Sequence, residues 1–341
     1  MTVTFKTIKR TARFLDPTDN YKEKSMPLEY RIDPLTKELG LVRDVRFMKP
    51  LHTDIDPIIE KSLEGGCPFC SENINQVTPK FIPELCPEGR LSVGEATVLP
   101  NMNPYMEYGA VTVISTKHVV RLIDFTPKML SDALTASQQL LKNVHKYDPK
   151  AVYCGIMCNY FPPANSSQVH PHLQVYASHF PMTYQKRLLD ASKRYFKRRG
   201  SVFWADLIKE EKRRKERFIA SIGNTVWLTS FVPRSYHMDV RAIFRSRASI
   251  LNLTPKDFQD FAKGLVNVFK YLNEEDHYSF NMFIYSGMMG EKSFWTQARV
   301  IQRGPLTRLG ISDAGNATLL GDTMMSIRTP EFVCKGLRPF F

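Results

Sequence analysis

The 341-residue chain has no apolar run long enough to cross a bilayer, because charges break every hydrophobic stretch well short of ~18 residues. Its opening, Met1-Thr2-Val3-Thr4-Phe5-Lys6, lacks the apolar core of a secretory signal, so a cytoplasmic protein without membrane contact is expected. Cysteine is sparse as well. Cys86, Cys154, Cys158 and Cys334 stand apart, and only Cys67 and Cys70 have a turn-like spacing, which excludes a disulfide framework. Acidic residues are outnumbered: 34 Asp and Glu against 47 Lys and Arg leave a net charge of +13. That excess draws phosphates, nucleotides or nucleic acid without choosing among them. Much of it lies between Gln185 and Arg217, where a basic run on a helix reads as a solvated face.

What is present is an ordinary globular composition, 43% hydrophobic and 24% charged, in a chain long enough for two domains at roughly 100 to 200 residues each. The chain also repeats itself. Thr97-Val98-Leu99 through Phe125-Thr126-Pro127 has a counterpart in Thr225-Val226-Trp227 through Leu253-Thr254-Pro255. In each copy an apolar strand-like run, Ala110 to Ser115 or Met238 to Phe244, leads to a Thr-Pro pair and a long amphipathic segment. Thr126 and Thr254 fit as N-caps, with Pro127 and Pro255 at the first helical position, where a missing N–H costs nothing. Apolar residues follow at helical spacing: Met129, Leu130, Leu134, Leu140 and Leu141 in the first copy, Phe258, Phe261, Leu265, Val268, Phe269 and Leu272 in the second. An α+β protein of two similar halves is expected, the first spanning 1–195 and the second 196–341. Carrying the register onward sets His170 against Ala298, His172 against Val300 and Gln174 against Gln302.

The chemistry is concentrated in the first copy. Cys67 and Cys70, set among Gly65, Gly66 and Pro68, read as a metal half-site, because two thiolates so spaced can face one ion from a tight turn. A redox pair would want a thioredoxin-like strand and helix around it. In the run His170-Pro171-His172-Leu173-Gln174, strand alternation puts His170, His172 and Gln174 on one face. Three polar groups in a row are costly in a core unless each has a partner. Imidazole and thiolate are the standard zinc ligands, which makes His170 a third candidate and His118, at the end of the strand Val111 to Ser115, the fourth. Four protein ligands leave no open position for water, so such an ion holds shape and activates nothing.

This set resembles the galactose-1-phosphate uridylyltransferase family of the histidine-triad superfamily. The similarity extends over nearly the whole chain, including Arg31-x-Asp33-Pro34-Leu35-Thr36, Asn101-x-x-Pro104 and Arg328-Thr329-Pro330-Glu331. It implies two tandem histidine-triad-like halves, each an antiparallel sheet with packed helices, in a homodimer with a shared active site. Cys67, Cys70, His118 and His170 then match the structural zinc ligands, and His172 matches the histidine that becomes nucleotidylated. Gln174 stands where related hydrolases carry a third histidine; an amide holds a phosphoryl oxygen without offering a base to bring in water. Ser167 matches a serine that contacts phosphate, Asn159 a residue on the nucleotide phosphates, and Asn101 one in the nucleoside pocket. Arg46 and Lys49 match basic residues near the nucleotide. The resemblance implies ping-pong transfer from a nucleotide donor to a phosphate-type acceptor, with nucleic acid not expected as a partner.

The chain also departs from that family. Val202 and Ala205 stand where a second Cys-x-x-Cys occurs, and Ser246 or Arg247 and Phe294-Trp295 replace later histidines, so one metal per chain is expected. Gly310-Ile311-Ser312 replaces a Gly-Phe-Glu run that holds hexose hydroxyls, and Met102 follows Asn101 where the uridylyl enzymes favour an acid. Both departures point to adenylyl transfer to phosphate, from an ADP-sugar, adenylylsulfate or a dinucleoside polyphosphate. The alternatives are a hexose-1-phosphate uridylyltransferase, a hydrolase on the same fold, and a non-catalytic nucleotide- or RNA-binding protein. The last is motivated by charge and by Tyr153, Tyr160, Phe161, Tyr176 and Phe180, whose alternation with apolar residues favours core packing.

Overall fold

The computed structural model describes residues 3–45, 52–304 and 312–341. In chain order they form β1 (Lys6–Asp16), β2 (Lys22–Ile32), β3 (Leu39–Val42), α1 (Asp56–Glu64), α2 (Ile74–Val77), β4 (Leu91–Val93), β5 (Ala96–Pro100), β6 (Tyr108–Val113), α3 (Pro127–Tyr147), β7 (Tyr153–Tyr160), β8 (His172–Ser178), α4 (Thr183–Arg199), α5 (Phe203–Arg214), β9 (Phe218–Ile222), β10 (Thr225–Thr229), β11 (Asp239–Phe244), α6 (Pro255–Glu274), β12 (Ser279–Tyr285), β13 (Gln297–Arg303), α7 (Asn316–Leu319), β14 (Met324–Ser326) and α8 (Pro330–Leu337). No helix among them is long and apolar enough to cross a membrane.

The two long helices begin where the Thr-Pro pairs stand. The Thr126 hydroxyl accepts the N–H of Met129, and Thr254 closes a full capping box with Asp257, each with proline in the first turn. Both helices bury one apolar stripe against the same face of one ten-stranded antiparallel sheet, ordered β4-β5-β6-β8-β7-β12-β13-β11-β10-β9. That order is five strands and their mirror, joined where β7 pairs with β12, so the halves share one continuous sheet and one helix-side core. Met157 and Phe283 pair across the join and mark the local two-fold between the copies.

Pairing through the ladders fixes which residues are equivalent, and it corrects the register expected from the sequence. Val98 and Trp227 both point into the helix-side core, so β5 and β10 match one residue later than Thr97 against Thr225. Thr97 then pairs Val113, which pairs His172; the matching path runs from Val226 to Ile243 to Gln297. His172 therefore corresponds to Gln297, Gln174 to Arg299 and, continuing the strand, His170 to Trp295. Ala298 and Val300, the expected counterparts, point the other way, into the helix-side core. An odd-numbered slip in a strand moves every side chain to the opposite face, and one arises because the chain runs one residue further from Met157 to His172 than from Phe283 to Gln297.

The opposite face of the sheet is covered differently in the two halves. Over β5 and β6, Leu99, Val111 and Val113 pack on Phe69 and Ile74 from the Cys67-x-x-Cys70 segment. Over β10 and β11, Val226, Leu228 and Ile243 pack beneath α4 and α5 through Leu188, Leu189, Phe203, Trp204 and Leu207. A cut after residue 195 falls inside α4, which lies on second-half strands. The N-terminal segment also sides with the second half. β1, β2 and β3 form a four-stranded sheet closed by β14, and Arg31 pairs with Glu331 at 2.9 and 3.0 Å. The basic residues of α4 and α5 are largely solvated, although Arg187 reaches Glu38, and Arg213 and Arg214 pair with Glu210.

Candidate active site and metal centre

The Cys67-x-x-Cys70 turn enters through Gly65 and Gly66, the latter at φ +70, a conformation glycine takes without strain. The Asn73 amide donates to the Cys67 carbonyl at 2.9 Å, and the Phe69 N–H points at the Cys67 sulfur at 3.4 Å, so both thiols turn inward. They meet His118, from the loop after β6, and His170, just ahead of β8. The four ligand atoms lie within 4.8 Å of one another.

The separations within this cluster test whether a metal fits. Zn–S bonds of about 2.3 Å and Zn–N bonds of about 2.0 Å at tetrahedral angles put S and N roughly 3.5 Å apart. His170 Nδ1 lies 3.6 Å from Cys67 Sγ and 3.7 Å from Cys70 Sγ, and His118 Nδ1 lies 3.4 Å from Cys70 Sγ. Each imidazole also has an outer partner on its other nitrogen: His170 Nε2 donates to the Ser115 carbonyl at 2.8 Å, and His118 Nε2 meets the Ser62 hydroxyl at 2.8 Å. Such partners fix the tautomer that presents Nδ1 to an ion. Burial, with Cys67 beside it, pushes the Cys70 thiol up to about 12, and burial pulls His170 down to about 4. The set fits a closed tetrahedral site.

His172 lies two residues along the strand and is excluded from that cluster. Its Nδ1–H donates to the His170 carbonyl at 2.8 Å, and burial lowers its pKa, so the ring is neutral with its lone pair on Nε2. No described residue bonds Nε2. Phe69 packs against the ring at 5.3 Å, so the metal turn and the histidine it supports are in direct contact. Gln174 projects from the same face, opposite Met157 on β7 and Val111 on β6, and its amide has no described partner.

The remaining expected residues divide. Asn159 is on β7 and, continuing the Met157–Gln174 register, lies opposite His172 on the same face. Ser167 is exposed in a cleft lined by Lys61, Ser62, Gly65 and Gly66. That cleft lies between α1 with the Gly65-Gly66 turn and the loop from Phe161 to Val169, which turns through positive φ at Phe161 and Asn165. Asn101 lies just past β5, its side-chain oxygen taken by the N–H of Asn103 at 3.0 Å. Arg46 and Lys49, and Gly310 with Ile311, lie outside the described residues. Tyr160, Phe161 and Tyr176 are buried, which removes them as base-stacking surfaces, while Phe180 is exposed. Sequence reasoning missed Ser62 and the Ser115 carbonyl, which leave no pattern, and Phe69, which stood inside the Cys-x-x-Cys motif. It also missed Asn281, a polar residue on the site-facing side of the run Tyr278 to Tyr285.

No family model matches the chain. An uncharacterized protein of Archaeoglobus fulgidus is 28% identical over 315 residues, covering 91% of this chain and 92% of the relative. Among solved structures, a galt-like protein from Arabidopsis thaliana matches with a TM-score of 0.71 at 17% identity, over 91% of this chain and 98% of its own. An ADP-glucose phosphorylase from Arabidopsis thaliana with bound ADP-glucose gives 0.70 at 17%, with the same coverage. A uridylyltransferase gives 0.66 at 20%, again over 91% and 98%. At these identities the likeness is one of fold, and it is the α+β fold of paired halves that the resemblance implied.

Proposed function

We propose that this protein is a nucleotidyltransferase that works by ping-pong through a nucleotidyl group on His172, with zinc held by Cys67, Cys70, His118 and His170. One observation carries the reading: the 2.8 Å bond from His172 Nδ1–H to the His170 carbonyl leaves Nε2 unprotonated and without a described partner. In the first step Nε2 attacks the α-phosphorus of a bound nucleotide; a P–N bond forms, a P–O bond breaks, and the leaving phosphate departs with the electron pair. In the second, an oxygen of a phosphate-type acceptor attacks the same phosphorus and the P–N bond breaks, which restores neutral His172. The ion supplies shape when bound: it ties the Phe69 turn to the base of β8. Gln174 and Asn159 are the donors to the phosphoryl oxygens, and Ser167 faces the departing or entering phosphate. Gln174 offers no base, which favours transfer over hydrolysis.

For the substrates, Met102 and the lack of a Gly-Phe-Glu run favour an adenylyl donor and inorganic phosphate as acceptor, in a homodimer. Incubation with α-labelled ATP, ADP-glucose, UDP-glucose and adenylylsulfate tests this. The expected result is an acid-labile label from an adenylyl donor that disappears in His172→Gly. Labelling by UDP-glucose alone would replace adenylyl by uridylyl transfer, and a label that survives in His172→Gly would end the mechanism.

A further inference from the structure

A row of polar side chains runs from the proposed nucleophile across the join between the halves and ends on a buried carboxylate. On the site face, Asn159 follows His172 one strand over, and Asn281 on β12 pairs directly with Asn159. Neighbouring strands lie about 4.8 Å apart, so these side chains stand shoulder to shoulder. Beyond them, Arg303 at the end of β13 is held by Asp313, at 2.8 and 2.9 Å from its Nε. Asp313 is 6% exposed.

The chemistry of the donors leaves one arrangement. A guanidinium only donates, so Arg303 Nη1, 2.7 Å away, must face the oxygen of Asn281. That turns the Asn281 amide nitrogen to the other side, where its two hydrogens meet two acceptors: Asn159 Oδ1 at 2.7 Å and the Ala164 carbonyl at 2.9 Å. With its oxygen occupied, Asn159 presents only its NH2, whose one described partner is the Asn165 carbonyl at the long distance of 3.5 Å. An asparagine without this relay could equally present its oxygen, which would repel a phosphate.

We infer that Asn281, set by Arg303 and Asp313, is a positioning residue that orients the Asn159 amide so that an N–H donor faces the phosphate at His172. The relay thereby gives the second half, which lacks the histidines, a role in the first half's site. The bond to Ala164 serves the same end by holding the loop that carries Ser166 and Ser167. This inference rests on the proposed role of Asn159 in phosphate binding.

The test is a double-mutant cycle between Asn159→Ala and Asn281→Asp, the latter isosteric but unable to donate to Asn159. Two readouts are used: the rate of His172 labelling from the donor that labels the wild-type chain, and calorimetric affinity for AMP and UMP. Each single variant is expected to lose about 10- to 100-fold in labelling, as misplacement of a catalytic contact does, with metal content and melting temperature unchanged. The double variant should be no worse than Asn159→Ala alone. An Asn281→Asp variant at the wild-type rate and affinity, or losses that multiply in the double variant, would overturn the relay. A wild-type chain that binds a nucleotide but takes no label would refute the nucleotidyl-histidine while the affinities still decide the relay; one that binds neither nucleotide would overturn both.

Discussion

The two halves place equivalent side chains at the same points of one sheet and use them in opposite ways. On β8, His172 and Gln174 project beside a metal turn, and the nitrogen of one and the amide of the other have no described partner. At the corresponding points of β13, Gln297 accepts from Arg241, and Arg299 donates to Asp239 at 2.9 Å, to the Tyr184 hydroxyl at 2.9 Å and to the Val232 carbonyl at 3.2 Å. Trp204, under the helix pair α4–α5, lies over Arg241 at 5.3 Å. The second half has therefore not simply become apolar. Where metal ligands would stand, Val202, Phe294 and Trp295 do pack as a hydrophobic cluster, but at the positions of His172 and Gln174 the replacements are polar and bonded, Gln297 through its oxygen to Arg241 and Arg299 to Asp239. The difference teaches how one position in a sheet serves two ends: on β8 the polar groups stand without described partners, whereas on β13 three partners close over the Arg299 guanidinium.

The largest expected effect of breaking this contrast is at the nucleophile. His172→Gly should lower transfer by at least about 10^4-fold, the scale on which loss of a covalent nucleophile acts, with metal content and fold unchanged. The matched Gln297→Ala should leave transfer within a few-fold of wild type. Equal losses in the two, read by the labelling rate, would mean that the halves are not differentiated as described. Next is the metal. Cys67→Ser, or removal of the ion by a strong chelator, should cost more than about 4 kcal/mol in denaturant unfolding, because three inward-facing ligands lose their common partner. Among the described residues the second half carries no equivalent, so elemental analysis should find one ion per chain, and two would place a site where Val202 and Phe294 now pack.

A comparable loss is expected from the second half by a different route. Asp239→Asn leaves the Arg299 charge buried without its carboxylate and should cost about 3–5 kcal/mol while metal content stays at wild type. Gln174→Ala, its first-half counterpart, should slow labelling with no such stability loss; a stability loss as large as that of Asp239→Asn would show that Gln174 is as fully engaged as Arg299. The smallest effects lie at the helix starts. Thr254→Ala and Thr126→Ala should each cost about 1 kcal/mol in chemical denaturation, with Thr254 the larger because only it closes a reciprocal box. The reverse order would show that the caps are not equivalent.

Much of this was legible from residue order. The Thr-Pro starts, the helical periodicity behind them and the strict alternation of His170, His172 and Gln174 depend on local geometry, so they read correctly without tertiary information. The four candidates Cys67, Cys70, His118 and His170 are likewise brought together in the structure, as the close Cys-x-x-Cys spacing and the choice of donor atoms implied. The repeat was legible as an order of elements, but its residue register misled, by one already at β5 and β10 and again after the helices. The span from Met157 to His172 is one residue longer than that from Phe283 to Gln297, and no local signal tells which residue of a β-rich run begins the ladder. The division at 195 failed to anticipate α4 for a related reason, since a helix can pack on strands that follow it in the chain.

The sequence by itself determined the helices and strands of both copies, the Cys2His2 set and the face shared by His170, His172 and Gln174, because each of these follows from short-range geometry and from the kinds of donor atoms present. Only the tertiary structure decided that Gln297 and Arg299 are the true counterparts of His172 and Gln174, that Ser62 and the Ser115 carbonyl orient the ligand imidazoles, and that Asn281 reaches Asn159 across the join. Those relations are set by strand register and by hydrogen bonds between residues more than a hundred positions apart in some cases, and pairing between distant strands leaves no trace in the local pattern of either one.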